Sequence, residues 1–523
     1  MASPEYKLDM LESFSGGLNL RSDQFNLSNN ESPDMLNVEV DPRGGIRMRN
    51  GVDRRNTTSL SSDVKGVWSL HTQSGTSHLM VNYGTAVAYS DGAYGASGDF
   101  TDLTGITART TGSRVYGMTM NNVAYGVSYD QPSFKWDGTT ASDLSSTFGT
   151  SGKMPQARYI GFWNNHCWVA NTFESAAGHE SRLRWSATNN PESWDSNHYV
   201  DIDIGEAGDY ITGLAPDGDR LIVFKSNSTH AVYGFDSDSF QVVTLSGSVG
   251  SIPSSSPVPS PYGVFFWYGR EGVYLQTHDR PVWLFQRLAP AIDDGRITFA
   301  NPPQLAWDGS KLWVSVDWTA DGTTTVRRTF MYDPSLGEEG AWVVSNIDAG
   351  PLWADRPPNE AATVYGGGVA NTGSVIALDQ DITFDRYVAD TQVHIDSNFT
   401  TTWVSGKNPI VNKRWGKARM VTAANSTLVL NVEVYKDYDR SNAEKSFTVS
   451  IEGRAGDAVW GVATWDGVAK WASGSAASIS DVKRLPTLGT AKAVSVKVIG
   501  PSSTNNTWEV NALAFTYIPR RLR

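Results

Sequence analysis

Leu305-Ala306-Trp307-Asp308-Gly309, followed two residues later by Leu312-Trp313-Val314-Ser315-Val316, decides how the rest of the chain is read. Two short apolar runs rich in Val and Trp flank an Asp-Gly turn, the pattern of a β-hairpin. Outward from it the same grammar recurs. Leu221-Ile222-Val223-Phe224 follows Asp217-Gly218, and Phe134-Lys135-Trp136 leads into Asp137-Gly138. Further turn signals stand at Asp91-Gly92, Asn121-Asn122 and Asp321-Gly322. Apolar residues at i, i+3, i+4 and i+7 are sparse, so the pattern predicts an almost wholly β chain.

Comparable strand starts fall near Trp68, Tyr116, Trp163, Leu214, Val264, Trp313 and Tyr365. Steps of roughly 50 residues suit the four-stranded blade of a β-propeller, which needs neighbours to cover its faces. The expectation is therefore a propeller of about six or seven blades over residues 56–384. A set of stacked β-sandwiches is the competing arrangement. Residues 385–523 change character: long alternating runs, such as Ala493-Val494-Ser495-Val496-Lys497-Val498-Ile499, predict one β-sandwich-like platform domain. Residues 1–55 carry Val38-Glu39-Val40, the turn Asp41-Pro42-Arg43-Gly44-Gly45, then Ile46-Arg47-Met48. That reads as a hairpin with Val38, Val40, Ile46 and Met48 on one buried face. A lone hairpin is marginal in water, so this N-terminal arm is expected to pack on the platform.

The 523 residues include 58 aromatics and carry a net charge of −12, too rich in aromatics for a disordered chain. The charge is unevenly spread. Residues 56–384 hold 18 basic and 34 acidic side chains, a net of −16, whereas residues 385–523 hold 18 and 12, a net of +6. A strongly acidic middle argues against tight phosphate binding there. The longest apolar stretch, Gly263-Val264-Phe265-Phe266-Trp267-Tyr268, is far too short to cross a bilayer as a helix, so no membrane anchor is expected. Glu5, Lys7, Asp9 and Glu12 leave no room for an apolar signal core in the first residues.

Catalytic signatures are weak. The eight histidines form no His-Glu-x-x-His, and there is no Gly-x-Ser-x-Gly elbow or phosphate-cradling loop. The Ser-x-Asp-x-Gly-x-x-Trp boxes of propeller glycosidases are missing too. Cys167, the single cysteine, lies in the apparent strand Phe162–Val169, where it reads as a buried structural thiol with His166 facing the other way. Asp437-Tyr438-Asp439 reads as a solvated turn rather than a calcium loop. No catalytic residue, cofactor or metal site is expected, and the chain is not read as an enzyme.

Three stretches together resemble the tail nozzle, or tail hub, proteins of short-tailed bacteriophages. The first is Phe14-Ser15-Gly16-Gly17-Leu18-Asn19 with Asn30-Glu31-Ser32-Pro33-Asp34-Met35-Leu36-Asn37-Val38 and Gly44-Gly45-Ile46-Arg47. The second runs from Arg182-Leu183-Arg184-Trp185-Ser186 through Pro191-Glu192-Ser193-Trp194-Asp195 and Ile204-Gly205-Glu206. It continues through Ile211-Thr212-Gly213-Leu214-Ala215-Pro216 and Asp219–Lys225 to Ala231-Val232-Tyr233. The third is Phe515-Thr516-Tyr517-Ile518-Pro519-Arg520-Arg521, with Lys413-Arg414-Trp415 upstream. The resemblance implies a virion structural protein, made in the host cytoplasm, with a propeller and a β-rich platform. It implies a homo-oligomeric ring, usually a hexamer, below the portal and adaptor, carrying tail fibres or a spike. Genomic DNA crosses such a ring during ejection without sequence-specific binding. No insertion that would form a separate distal tip is evident.

The expected assembly interface is the basic cluster Lys413, Arg414, Lys417, Arg419, Arg520, Arg521 and Arg523, facing an acidic partner or a neighbouring subunit. Acidic propeller residues are expected to border the DNA passage, because like charge keeps a phosphate backbone mobile. Two rival readings are a receptor- or glycan-binding propeller of a tail fibre or cell surface, and a propeller hydrolase.

Overall fold

The computed structural model describes residues 6–91, 97–203, 208–253, 257–319, 322–336, 339–357, 361–370, 372–388, 391–424, 427–451, 457–458, 470–471, 481–502 and 506–520. Among these, seven sheets succeed one another along the chain as blades. Blade 1 runs from Val64–His71 to Phe100–Asp102, blade 2 from Tyr116–Met120 to Ala141–Asp143, and blade 3 from Gln156–Trp163 to Tyr199–Asp201. Blade 4 runs from Ile211–Asp217 to Gln241–Ser246, and blade 5 from Val258–Ser260 to Pro281–Trp283. Blade 6 is built on Gln304–Trp307, Leu312–Thr319, Thr325–Asp333 and Ala341–Ser345. Blade 7 takes Leu352–Asp355, Thr363–Gly367 and Val375–Gln380 from late in the chain and its outer strand, Gly51–Arg54, from the arm. The first strand of each blade touches the first strand of the next, and blade 7 returns to blade 1. Among the described residues these sheets form a seven-bladed propeller.

The sequence pattern explains the stacking. In Arg220–Lys225 successive side chains alternate between the two faces of blade 4. Leu221 and Val223 pack toward blade 3, among Tyr159, Trp163 and Leu183. Ile222 and Phe224 pack toward blade 5, among Val264 and Phe266. A sheet covered on both faces reads as an unbroken apolar run, which is why these strands lack alternation in sequence. The seven aromatic and apolar marks each fall in a different blade, on the first strand in blades 1–4 and on the second in blades 5–7. The Asn121-Asn122 turn holds both residues at positive φ (54° and 65°), the conformation for which asparagine is chosen in a tight hairpin.

Closure of the ring depends on Asn56. Its Oδ1 accepts from the Val375 amide (2.8 Å) and Arg54 Nε (3.1 Å), while Nδ2 donates to the carbonyls of Thr58 and Gly373 (2.7 Å each). The early strand is thereby locked onto the last blade.

The platform is a two-sheet sandwich. One sheet orders Asp481–Ala491, Lys413–Ala424, Trp508–Pro519, Ile46–Met48 and Val38–Val40, with Lys7–Leu11 also paired to Trp508–Pro519. The other orders Asp34–Leu36, Asn398–Thr400, Val494–Ile499, Leu428–Lys436 and Lys445–Ile451. Trp415, Met420, Leu513 and Phe515 from the first meet Val432, Val434, Val496 and Val498 from the second, all buried. The hairpin forms with Val38 opposite Met48 and Val40 opposite Ile46, its four apolar side chains buried.

The arm is divided between the two bodies. Lys7–Leu11, Asp34–Leu36, Val38–Val40 and Ile46–Met48 join platform sheets, whereas Gly17–Leu18 and Glu31–Ser32 extend blade 6 and Gly51–Arg54 completes blade 7. At the seam, Arg49 is clasped by both oxygens of Asp385 (2.8 and 2.6 Å), by Asn37 Oδ1 (2.9 Å) and by the Asn50 carbonyl (2.9 Å). Both members of this ion pair are almost wholly buried.

Candidate interaction surfaces

Groups capable of chemistry are spent on structure. Cys167 is fully buried, and desolvation pushes its thiol far above the ordinary value. Its side chain packs between blades 2 and 3, while His166 meets Trp168 and Phe240 edge to face on the opposite side and donates from Nδ1 to the Ser186 carbonyl. Two Ser-His-Asp contacts escape sequence reading. In the first, His71 lies between Ser77 Oγ (2.8 Å from Nδ1) and Asp355 (2.9 Å from Nε2), and Ser69 Oγ also donates to Asp355 (2.7 Å). The second belongs to blade 4. Ser228 Oγ lies 2.9 Å from His230 Nε2 and donates to Asp209 Oδ2 at 2.7 Å. In a nucleophilic relay the carboxylate sits behind the imidazole. Here it binds the serine itself, His230 Nδ1 meets Thr244 Oγ1 (3.2 Å), and burial lowers the histidine pKa. Around it the buried Lys225 Nζ donates to the carbonyls of Ile202 and Asp203. This is a satisfied core network.

The Asp437–Asp439 turn likewise spends its oxygens internally. Asp437 Oδ1 accepts from the Lys492 amide (2.6 Å) and Asp439 Oδ1 from the Ser441 amide (2.8 Å). Among the described residues no three His, Cys, Asp or Glu side chains gather as a metal would require.

The propeller axis is narrow. The first strands of all seven blades line a cavity of about 290 Å³, with Tyr116, Tyr159, Leu214, Trp307 and Trp353 on its wall. That holds about ten waters at about 30 Å³ each. A DNA duplex, whose major groove alone is about 12 Å wide, does not fit.

The basic cluster separates into three groups. Lys413 is buried, its ammonium donating to the carbonyls of Asn408, Val411 (2.8 Å) and Lys492 (2.9 Å), and burial lowers its pKa. It pins a loop and is not a docking charge, which corrects the sequence expectation. Its alternation with Trp415, two residues on, was the available signal, since both lie on the core side of one strand. Arg414, Lys417 and Arg419 are exposed on the outer side of that strand. Arg520 is exposed and its amide donates to the Asn412 carbonyl, so it lies beside the same strand's start. Arg521 and Arg523 lie outside the described residues.

The propeller's charge is concentrated at turns. In blades 1–6 the turn from the first to the second strand and that from the third to the fourth emerge on the same face, and the first turn of blade 7 joins them. Contacts across blades support this: Asn164 Nδ2 of blade 3 donates to the Gly234 and Phe235 carbonyls of blade 4. On this face Asp137, Asp195, Asp219, Asp236, Asp238 and Asp279 are exposed, against Arg280 and Arg356. Some are structural as well as charged. Asp137 Oδ1 accepts from the amides of Thr139 and Thr140, and these hydrogen bonds hold its pKa below the ordinary range. Phe235 projects from the same face with 90% of its surface exposed.

No family model and no curated protein matches the chain. Among solved structures it is similar to YCF48 from Cyanidioschyzon merolae, at 10% identity over 62% of this chain and 98% of that one, TM-score 0.38. It is also similar to PorZ, a surface component of the type-IX secretion system of Porphyromonas gingivalis, at 9% identity over 70% of this chain and 44% of that one, TM-score 0.36. The extracellular domain of a one component system from B. thetaiotaomicron matches at 13% identity and TM-score 0.37, over 64% of this chain and 40% of that one.

Proposed function

We propose that this protein is a structural component of a bacteriophage tail, a nozzle or hub that assembles as a homo-oligomeric ring beneath the portal and adaptor. The observation that carries the reading is the division of charge. The propeller turns present exposed aspartates, while the open side of the platform sheet presents Arg414, Lys417 and Arg419. A ring of such chains has basic surfaces available for neighbours, and the acidic turns that no neighbour covers border a passage. Acidic walls leave DNA mobile, because phosphate contacts by cations add counterion-release affinity and would hold it. With the blade axis closed to a duplex, the passage in this reading lies between copies. The sequence motifs at Phe14–Asn19, Asn30–Val38 and Arg182–Tyr233 support the same assignment. In this reading the role is mechanical, with no catalytic step and no cofactor, and the protein resides in the virion tail, in contact with portal-adaptor proteins and fibres or a spike.

One observation favours a second reading, a receptor- or glycan-binding propeller. Tyr262, half exposed, meets Trp307 edge to face (6.0 Å) beside a cleft lined by Pro216, Pro259, Pro261, Asp308 and Arg356 on the turn face. Exposed aromatics beside carboxylates suit a sugar ring. Negative-stain images of the purified chain, alone and with portal-adaptor complexes, separate the two. The nozzle reading expects closed rings when neighbours are present. Monomers or trimers that bind glycans and ignore the portal-adaptor complex would replace it with the second.

A further inference from the structure

The outer side of the platform sheet is laid out by strand register. Pairing sets Met10 opposite Ala514 and Leu8 opposite Thr516. It then sets Ala514 opposite Arg419 and Ile518 opposite Arg414, and finally Arg419 opposite Arg484. Directly opposed residues share a side of the sheet, so Met10, Ala514, Arg419 and Arg484 form one row across four strands. The intervening Leu11, Leu513 and Met420 point into the core. Leu8 is 60% exposed and Met10 39%, while Arg414, Lys417, Arg419 and Arg484 are exposed and make no ion pair among the described residues. This side is therefore apolar at one edge and cationic at the other, an uncommon finish for a sheet that faces only water.

The propeller turn face carries the complementary pair of properties. Phe235 stands on a braced turn: its amide and that of Asp236 both donate to Ser239 Oγ (2.9 and 3.0 Å), and its carbonyl accepts from Asn164. Asp236 and Asp238 flank it, and Asp219 lies on another turn of the same blade. We propose that the open side of the platform sheet docks on the blade 4 turns of a second copy of this chain. Phe235 meets the Leu8 and Met10 edge, and the aspartates meet Arg419 and Arg484. The two surfaces differ, so the contact is head-to-tail, the kind that builds a ring when its rotation closes. The inference rests on the ring-forming reading above and names the surfaces that reading needs. Charge complementarity selects a second copy. The apolar half of the sheet gives duplex DNA nothing to recognise.

The test uses the full chain with portal-adaptor complexes, followed by sedimentation velocity at low salt. Arg419→Glu with Arg484→Glu in one variant, and Asp236→Lys with Asp238→Lys in another, each weaken association by about tenfold or more, as about 1.4 kcal/mol does. Mixing the two variants restores it, because reversed charges again face opposite ones in alternating copies. Phe235→Ala weakens association with little change in its salt dependence. All four arginines and aspartates are exposed, so folding is preserved. Wild-type assembly by either charge variant overturns the docking surface while the ring reading stands. Failure of the wild-type chain to assemble at all overturns both. Loss of duplex DNA binding by the arginine variant, with unchanged assembly of the other two, assigns the arginines to nucleic acid and likewise overturns it.

Discussion

Propeller and platform are built from the same kind of strand and differ in how many faces they bury. Each blade has neighbours on both sides, so charges are either paired within it, as Glu174 is with Arg184, or driven to the turns at its ends. The platform sandwich covers one face of each sheet, so charges spread over the other, as Arg414, Lys417 and Arg419 do opposite the buried Trp415 and Met420. The lesson is that burial geometry decides where a chain can display charge. The −16 and +6 regions are consequences of two packing schemes as well as of composition.

The seam offers the severest way to break this comparison. Replacing Arg49 by Ala leaves Asp385 buried and unpaired, a loss of about 3–5 kcal/mol. Calorimetry should show propeller and platform melting apart in that variant. Within the propeller, Phe224→Ala opens a cavity between blades 4 and 5 and costs about 3–5 kcal/mol, read by denaturant midpoint. Asn56→Ala removes both acceptor and donors from the closing strand. It should cost about 1–3 kcal/mol and expose the Gly51–Arg54 amides to hydrogen exchange before those of blades 2–5.

A pH experiment sharpens the contrast between buried and open charge. Glu174 is desolvated, which alone would raise its pKa, but hydrogen bonds from Arg184 (2.6 and 2.7 Å) and Thr172 outweigh burial and hold it below the ordinary 4.5. A depressed carboxylate stabilises the fold above its unfolded pKa, and that stability is lost as pH falls through the folded one. Glu174→Gln should therefore lower stability at neutral pH and flatten its decline below pH 4.5. The smallest effect belongs to the open sheet. Arg414→Ala and Lys417→Ala should shift stability by about 0.5 kcal/mol or less, since exposed charges contribute little to folding.

Much of the fold was legible because local rules and tertiary packing agree. Asp-Gly and Asn-Asn turns, Trp- and Val-rich runs and a step of one blade all report the same repeating unit. The Val38–Met48 hairpin was legible for the same reason. The division of the arm was not, since Gly17–Leu18, Glu31–Ser32 and Gly51–Arg54 are too short to reveal which distant sheet they join. Lys413 was misread because clustering in sequence outweighed strand alternation. The exposed half of the platform sheet was only partly visible. Arg484 reaches the basic residues through a strand pairing that long-range register alone reveals, and the Leu8–Met10 edge through a pairing of strands hundreds of residues apart.

The most direct test of the account is the salt dependence of assembly by the full chain with portal-adaptor complexes, measured by sedimentation velocity from low to high ionic strength. The account predicts a ring-sized species at low salt that dissociates as exposed charges are screened beyond a Debye length of about 10 Å at 0.1 M. A chain that stays monomeric or trimeric at every salt concentration, or a ring indifferent to salt, would contradict it.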